Sequence, residues 1–549
     1  MRDTIKLFLS ILLLTPSLHA SDEIDPAAVA ADISWDEYWA HVSYFASDEL
    51  EGRDTGSEGY DLAAKYTAEK FAAAGLQPFG DDSSYYQLVP FNRAYLNEAT
   101  FDLNFITDKG VLSTEYGETA SVNLNTDNAS FQGKGELVFV GYGNIIPEAG
   151  INDYEGVDVT DKVVVLAVGA PEGVPDSIQL GTRSKLRIAD EQGAKGVVIF
   201  SPGKWRKEKK QFNIYHRWLG GSRMYISDPE HEKKRNDLEM IYILKESKVR
   251  KLFRKSGMNL RRELRKMKAG ETRSKPMNAE VSCSYEMRFE NNDCKNVVGL
   301  LPGTDSLLQH EYVVVGAHMD HVGIRSAVEG DSIYNGLWDN ATGSGVTISI
   351  AETFHKAGIR PKRSIVFINY TGEEKGLLGS HYFANTYGLD SIDIAVNVNI
   401  DMLGGPIHTH DITPLGYNHS TVSEAVDLAV ADLGLSLNDA TKMEKEFIHR
   451  SDQMSFMKIG VPPLYINSGI NPVDPEVDAE VKFREWEKTR YHKPSDDLDQ
   501  PYDVEGFFNG LKANFLSTYY LTNVIQKIEW YDDSWAYEEH VKPALEKSQ

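Results

Sequence analysis

The chain has 549 residues, too many for one hydrophobic core, so at least two domains are expected. Hydrophobic residues make up 41% and charged residues 25%, as in ordinary globular proteins, and no apolar run beyond the N-terminus approaches the roughly 18 residues a membrane helix needs. The net charge of −25 works against nucleic-acid partners and anionic lipid surfaces.

In chain order, the first element has the pattern of an export signal. Arg2 and Lys6 precede an apolar run at 7–14, Pro16 breaks it, and Ala20 offers a small residue for cleavage, although Leu18 departs from the small residue wanted two places earlier. Residues 1–20 are therefore expected to be a signal peptide, and the mature protein periplasmic or extracellular. Residues 34–76 read as helical, with Gly75 as a C-terminal stop and Pro78 just beyond. Residues 98–135 alternate polar and apolar, which predicts strands with turns.

A second pattern starts near Gly133. Strands are predicted at 137–140, 163–168 and 197–200, with a helix at 184–192 stopped by Gly193. We expect 133–285 to be an inserted, β-rich domain. Residues 204–275 carry 23 Lys and Arg against 9 Asp and Glu. Amphipathic helices with a solvated basic face account for this more simply than a docking patch does. The two cysteines, Cys283 and Cys294, are compatible with a bridge between neighbouring strands or with two buried thiols; they form no metal-binding cluster.

From Asn296 the rhythm becomes strand–helix alternation. Apolar strands at 312–315, 365–368, 395–400 and 464–466 are separated by helical stretches such as 345–354 and 376–385. Such alternation predicts a mostly parallel sheet covered on both faces. Polar clusters follow three of these strands: Gly316-Ala317-His318-Met319-Asp320-His321, Thr371-Gly372-Glu373-Glu374, and Asp401. Strand ends in an open parallel sheet share one crevice. Asp339, before a helix, and His492, in a late loop, complete a set of imidazoles and carboxylates without thiols, which suits zinc. We expect His318 and Glu374 on one ion, Asp401 and His492 on the other, and Asp339 between them. A zinc pair polarises a scissile carbonyl and acidifies the attacking water, and Glu373 takes the water proton. Asp320 is expected to hold the His318 ring in its ligating tautomer. His321, His408, His410 and His449 read as packing or pocket-rim residues.

The series Gly316 to His321, Trp338-Asp339-Asn340-Ala341-Thr342-Gly343, Gly372-Glu373-Glu374, Asn399-Ile400-Asp401-Met402 and Tyr491-His492 resembles the M28 family of zinc metallopeptidases. Glu49-Leu50-Glu51-Gly52-Arg53 resembles the N-terminal part of that peptidase domain. The stretches 138–143, 161–165 and 189–197 resemble a protease-associated (PA) domain. The resemblance implies a phosphorylase/hydrolase-like three-layer α/β sandwich. The peptidase domain would be split into 21–132 and 286–549, with the PA domain between. It also implies two zinc ions per chain, the same five ligands and Glu373 as base, peptide substrates, and either a monomer or a homodimer. Two departures stand out: Trp338 where a second Asp often sits, and Gln453 after Ser451-Asp452 where His is frequent. Arg450 is either a substrate contact or a structural ion pair. An aminopeptidase is the leading expectation and a glutamate carboxypeptidase-type enzyme the alternative. A glutaminyl cyclase and a non-catalytic receptor-like relative are remoter; bound zinc of about two, one or none per chain separates these classes.

Overall fold

The structure, a computed structural model, describes residues 24–175, 178–202, 212–213, 216, 221–232, 238–271, 274–389, 391–405, 407–439 and 441–548. The expected signal peptide at 1–20 and part of the basic stretch lie outside the described residues.

Continuous Val and Ile runs build the first nine-stranded sheet. Its centre is the parallel set Ser364–Tyr370, Glu311–His318, Asp393–Asn399 and Pro463–Ser468, in that spatial order. Cys294–Leu301 on one side and Asp411–Leu415 on the other pair antiparallel, so the sheet is mixed rather than mostly parallel. Alternate residues feed two separate apolar clusters. Val313, Val315, Ile365 and Phe367 face the helices Glu58–Ala73, Thr342–Lys356 and Val504–Asn523. Val314, Val366 and Ile368 face Leu378–Thr386 and Gln453–Met457. Burial on both faces is why these strands lack polar alternation. Each such side chain contributes about 1.5–3 kcal/mol on leaving water.

The helical region expected at 34–76 is two helices, Trp35–Phe45 and Glu58–Ala73, capped by Ser34 and Ser57. Between them runs a turn with Glu51, Gly52, Arg53 and Gly56 at positive φ. At Gly52 a Cβ would lie 2.2 Å from the Tyr334 carbonyl oxygen, so only glycine fits this close approach.

The second nine-stranded sheet takes in the expected strands at 137–140, 163–168 and 197–200, which run parallel as Ser130–Phe139, Val163–Ala167 and Gly196–Phe200. It also reaches outside 133–285. Phe91–Thr107 and Lys275–Asn291, 17 residues each, pair antiparallel from Asn92↔Asn291 onward. Ala120–Asn123 closes the far edge. The basic helices Glu246–Lys255 and Leu260–Lys268 bury Val249, Leu252, Phe253, Leu260 and Met267 and present Arg250, Lys251, Arg254, Arg261 and Arg265 to solvent, as an amphipathic, solvated face requires. Among the described residues no helix is long and apolar enough to cross a membrane.

Cys283 and Cys294 are both free and buried in different strands. Burial pushes each thiol up to about 12. Thiol titration with an aromatic disulfide should therefore detect neither cysteine in the native protein and both after denaturation. Fast reaction of either in the native state would contradict this packing.

Candidate metal centre

Parallel strands end on one edge of a sheet, so His318, Glu373, Glu374 and Asp401 are brought together from distant sequence positions. Asp339 enters from the loop before Thr342–Lys356, and His492 from the turn after Ala479–Thr489. Their ligand atoms form two compact groups. His318, Asp339 and Asp401 make one, and His321, Asp339, Glu374 and His492 the other; within each group the ligand atoms lie within 4.8 Å of one another. His318 Nε2 is 3.3 Å from Asp401 Oδ1 and 3.4 Å from Asp339 Oδ1. His492 Nε2 is 3.0 Å from Asp339 Oδ2 and 3.1 Å from Glu374 Oε1.

Asp339 thus stands between the groups, as expected, but the other four partner differently. Glu374 goes with His492, and His318 with Asp401. The strand carrying His318 lies between those leading to Glu374 and Asp401, and its imidazole leans to the Asp401 side. His321 was expected to be a packing or pocket-rim residue. It is fully buried, with Nδ1 3.0 Å from Glu374 Oε1. Both His321 ring nitrogens and Glu374 Oε1 lack hydrogen bonds of good geometry. Orphaned donor atoms converging at such distances are what a divalent cation satisfies, and the imidazole–carboxylate set without thiolate suits zinc or a similar ion. His408, His410 and His449 belong to neither group.

Asp320 holds the His318 ring, and does so through its main chain. His318 Nδ1 donates to the main-chain carbonyl of Asp320 at 3.0 Å, which fixes the tautomer with Nε2 facing Asp339 and Asp401. The Asp320 carboxylate instead accepts from Thr55 Oγ1 at 2.9 Å and from the N–H groups of Glu373 and Glu374 at 3.0 and 3.3 Å. It holds the loop on which both glutamates stand.

Three further residues, not singled out as site residues from the sequence, shape the centre. Asp496 accepts from the N–H groups of Trp338 and Asp339 at 3.0 and 3.2 Å. Asn340, joined to Asp339 by a cis peptide, donates to Ile400 O and accepts from Met402 N, so it ties the Asp339 loop to both sides of Asp401. Arg53 is completely buried and donates to the carbonyls of Met319 at 2.9 Å, Asn335 at 2.6 Å and Gly336 at 3.0 Å, and also to Phe45 O. Gln453 is buried between Asn399, at 2.7 Å, and Ile448 O, at 2.9 Å, and serves packing.

The electrostatics follow from crowding. Burial and the neighbouring Glu374 would raise Asp339, yet the His492 and His321 imidazoles outweigh them and hold it below its ordinary value. Burial pushes the Glu373 carboxyl well above the usual range against the pull of His318, with Glu374, Asp452 and Asp401 adding to the rise. Burial lowers the Arg53 guanidinium to about 10 despite four nearby carboxylates, so it stays charged at neutral pH.

The family model of peptidase family M28 matches residues 296–506, the segment that carries every one of these ligands. Over this segment the chain is similar to peptidase family M28. A probable zinc metalloprotease of Pyrenophora tritici-repentis is 28% identical over 253 residues, covering 40% of this chain and 55% of that protein. A probable glutamate carboxypeptidase of Arthroderma benhamiae is 32% identical over 142 residues, covering 25% of this chain and 18% of that one. The chain thus spans about half the length, or less, of these curated relatives. An aminopeptidase from Aneurinibacillus sp. strain AM-1 superposes with a TM-score of 0.52 at 18% identity, covering 93% of this chain and 99% of that chain, which shows a shared fold.

Asp496→Asn should lower stability by about 1–3 kcal/mol, because an amide cannot accept from both N–H groups in the carboxylate's geometry. Thermal unfolding of the metal-free protein checks this; an unchanged melting temperature would remove Asp496 from its supporting role.

Proposed function

We propose that the chain is an exported, zinc-dependent aminopeptidase holding two zinc ions per chain. His318, Asp339 and Asp401 serve one ion, and Asp339, Glu374 and His492, with the buried His321 ring beside them, the other. The observation that carries this reading is the pair of metal-sized groups sharing Asp339. A relative named as a zinc metalloprotease supports the metal, and a structural neighbour named as an aminopeptidase supports the direction of cleavage. Bound there, a zinc pair would supply Lewis acidity to the scissile carbonyl and acidify the attacking water.

The chain's own residues do the rest. Glu373 takes the water proton and passes it to the leaving amine. Its position next to Glu374, on a loop pinned by the Asp320 carboxylate, sets it beside the ligands while it belongs to neither ligand group. Main-chain anchoring of His318 and of the Asp339 loop keeps the ligand atoms aimed before any substrate arrives, so little reorganisation is needed during reaction. The helices on both faces of the first sheet support the phosphorylase/hydrolase-like sandwich, and the second sheet is read as a PA domain. Export rests on the pattern at Arg2, Lys6 and 7–14.

A second reading, a carboxypeptidase or dipeptidase of the glutamate carboxypeptidase type, is favoured by the Arthroderma benhamiae match. A panel of aminoacyl anilides, free dipeptides and N-acetylated dipeptides, assayed with zinc and with chelator, separates the two. Aminopeptidase action requires a free N-terminus and stops on chelation. Cleavage of the N-blocked peptides selects the second reading.

Glu373→Gln should keep two zincs and lose about 10²–10⁴-fold in kcat, the usual contribution of a general base. Near-normal turnover at unchanged metal content would sink that role. Asp339→Ala should bind less than one zinc per chain by atomic emission; two retained zincs would refute the bridge.

A further inference from the structure

Beside the metal centre, three cations crowd one carboxylate. Asp54 lies at the end of the turn that covers His321, with which it forms a backbone bridge. Lys375, the residue after Glu374, ion-pairs to Asp54 Oδ1. Arg93, at the start of the second sheet, comes within 3.6 Å of Asp54 Oδ2, and Arg325, on the hairpin formed by Gly323–Val328 and Asp331–Tyr334, within 3.7 Å of Oδ1. At those separations neither arginine makes a good hydrogen bond to Asp54, so three cations share this one carboxylate, with the buried Asp320 also feeling the charge of Lys375. Glu290, opposite Arg93 in the sheet, is paired to Arg288 and does not neutralise it.

Such a gathering of cations is unexpected in a body of net charge −25. It is assembled from three separate parts of the fold: the glutamate loop, the hairpin and the second sheet. Arg325 is about half exposed, with 47% of its side chain accessible, whereas Arg93 and Lys375 are mostly covered at 18% and 14%. The cluster therefore has a covered base and one arginine open to solvent. Two guanidinium forks not spent on good hydrogen bonds to Asp54 suit a planar carboxylate.

We infer that Arg93, Arg325 and Lys375 form an anion subsite that grips a carboxylate of the peptide substrate. The inference rests on the exopeptidase reading and adds a substrate class to it: short peptides with a free C-terminal carboxylate, or peptides with an acidic side chain near the cleaved bond. In either case the interaction acts mainly through binding.

Three peptides sharing the best N-terminal residue test this, ending in Gln-amide, Glu-amide and free Gln. The wild type should favour one or both carboxylate peptides over Gln-amide by about five- to tenfold in kcat/KM, carried by KM. Preference for Glu-amide identifies the side chain as the source, and preference for free Gln the terminus. In Arg93→Gln/Arg325→Gln the ratio should fall to near one. In Arg325→Glu, a change on the exposed hairpin that spares the covered base, it should fall below the wild-type value. The ratio within each variant is the readout, so a general loss of activity does not mimic the effect. Equal rates for all three peptides, or a preference surviving in the double variant, overturns the subsite. If the zinc-loaded wild type hydrolyses no peptide, the exopeptidase reading fails. Calorimetric binding of the same peptides then decides the subsite: an arginine-dependent carboxylate preference supports it, and equal affinities overturn it.

Discussion

The centre depends on one buried cation. The Arg53 guanidinium has no access to solvent, and its donors are taken up by main-chain carbonyls from three segments: Phe45, Met319, and Asn335 with Gly336. Those segments flank His318 and Asp320 on one side and Asp339 on the other. Burying a charge costs several kcal/mol, and the structure offsets this with a full set of acceptors and with Asp339, Asp496, Asp320 and Glu374 nearby. A lysine could not reproduce the planar fork that reaches several carbonyls in different directions. The turn bearing Arg53 is itself held by Gly52 against Tyr334, so a conformational demand on one glycine is transmitted to the ligand loops.

Around that cation the site is organised in two tiers. Atoms aimed into the centre are imidazole nitrogens and carboxylate oxygens; behind them, a carbonyl and two carboxylates hold the His318 ring and the main chain of the ligand loops. His318 is held by a carbonyl, the Glu373–Glu374 loop by the Asp320 carboxylate through its N–H groups, and the Asp339 loop by Asp496. Holding the loops by their N–H groups leaves the ligand side chains aimed inward, and it places two further buried carboxylates, Asp320 and Asp496, behind the centre.

The sequence was informative where chemistry is local and silent where it depends on strand order. The Val and Ile runs at 313–315 and 365–368 announced buried strands, and the polar residues closing them announced a shared edge. Nothing in the runs says on which side of His318 the strands to Glu374 and Asp401 will lie, so the partnering of the four outer ligands was not legible. His321 was hidden for a related reason: its burial comes from the turn at 52–54, more than 250 residues earlier, folding over it. Asp496 sits in a loop run of Ser and Asp that looks like ordinary turn chemistry until its carboxylate is seen beneath Asp339. Alternation at 98–135 correctly suggested strands, but a period of two does not specify which of two sheets they join.

The long ribbon made by Phe91–Thr107 and Lys275–Asn291 has a topological consequence. Asn92 and Asn291 are register partners, so the chain departs from the first sheet and returns to it through a single point. Closing that gap requires almost no added loop entropy whatever lies beyond it. The excursion is thus exchangeable in principle: a lineage could lengthen, shorten or replace everything beyond Asn92 without redrawing the connectivity of the sheet that carries the ligands. Arg93, one step past the crossing, marks how little of the excursion has to remain for it to reach Asp54.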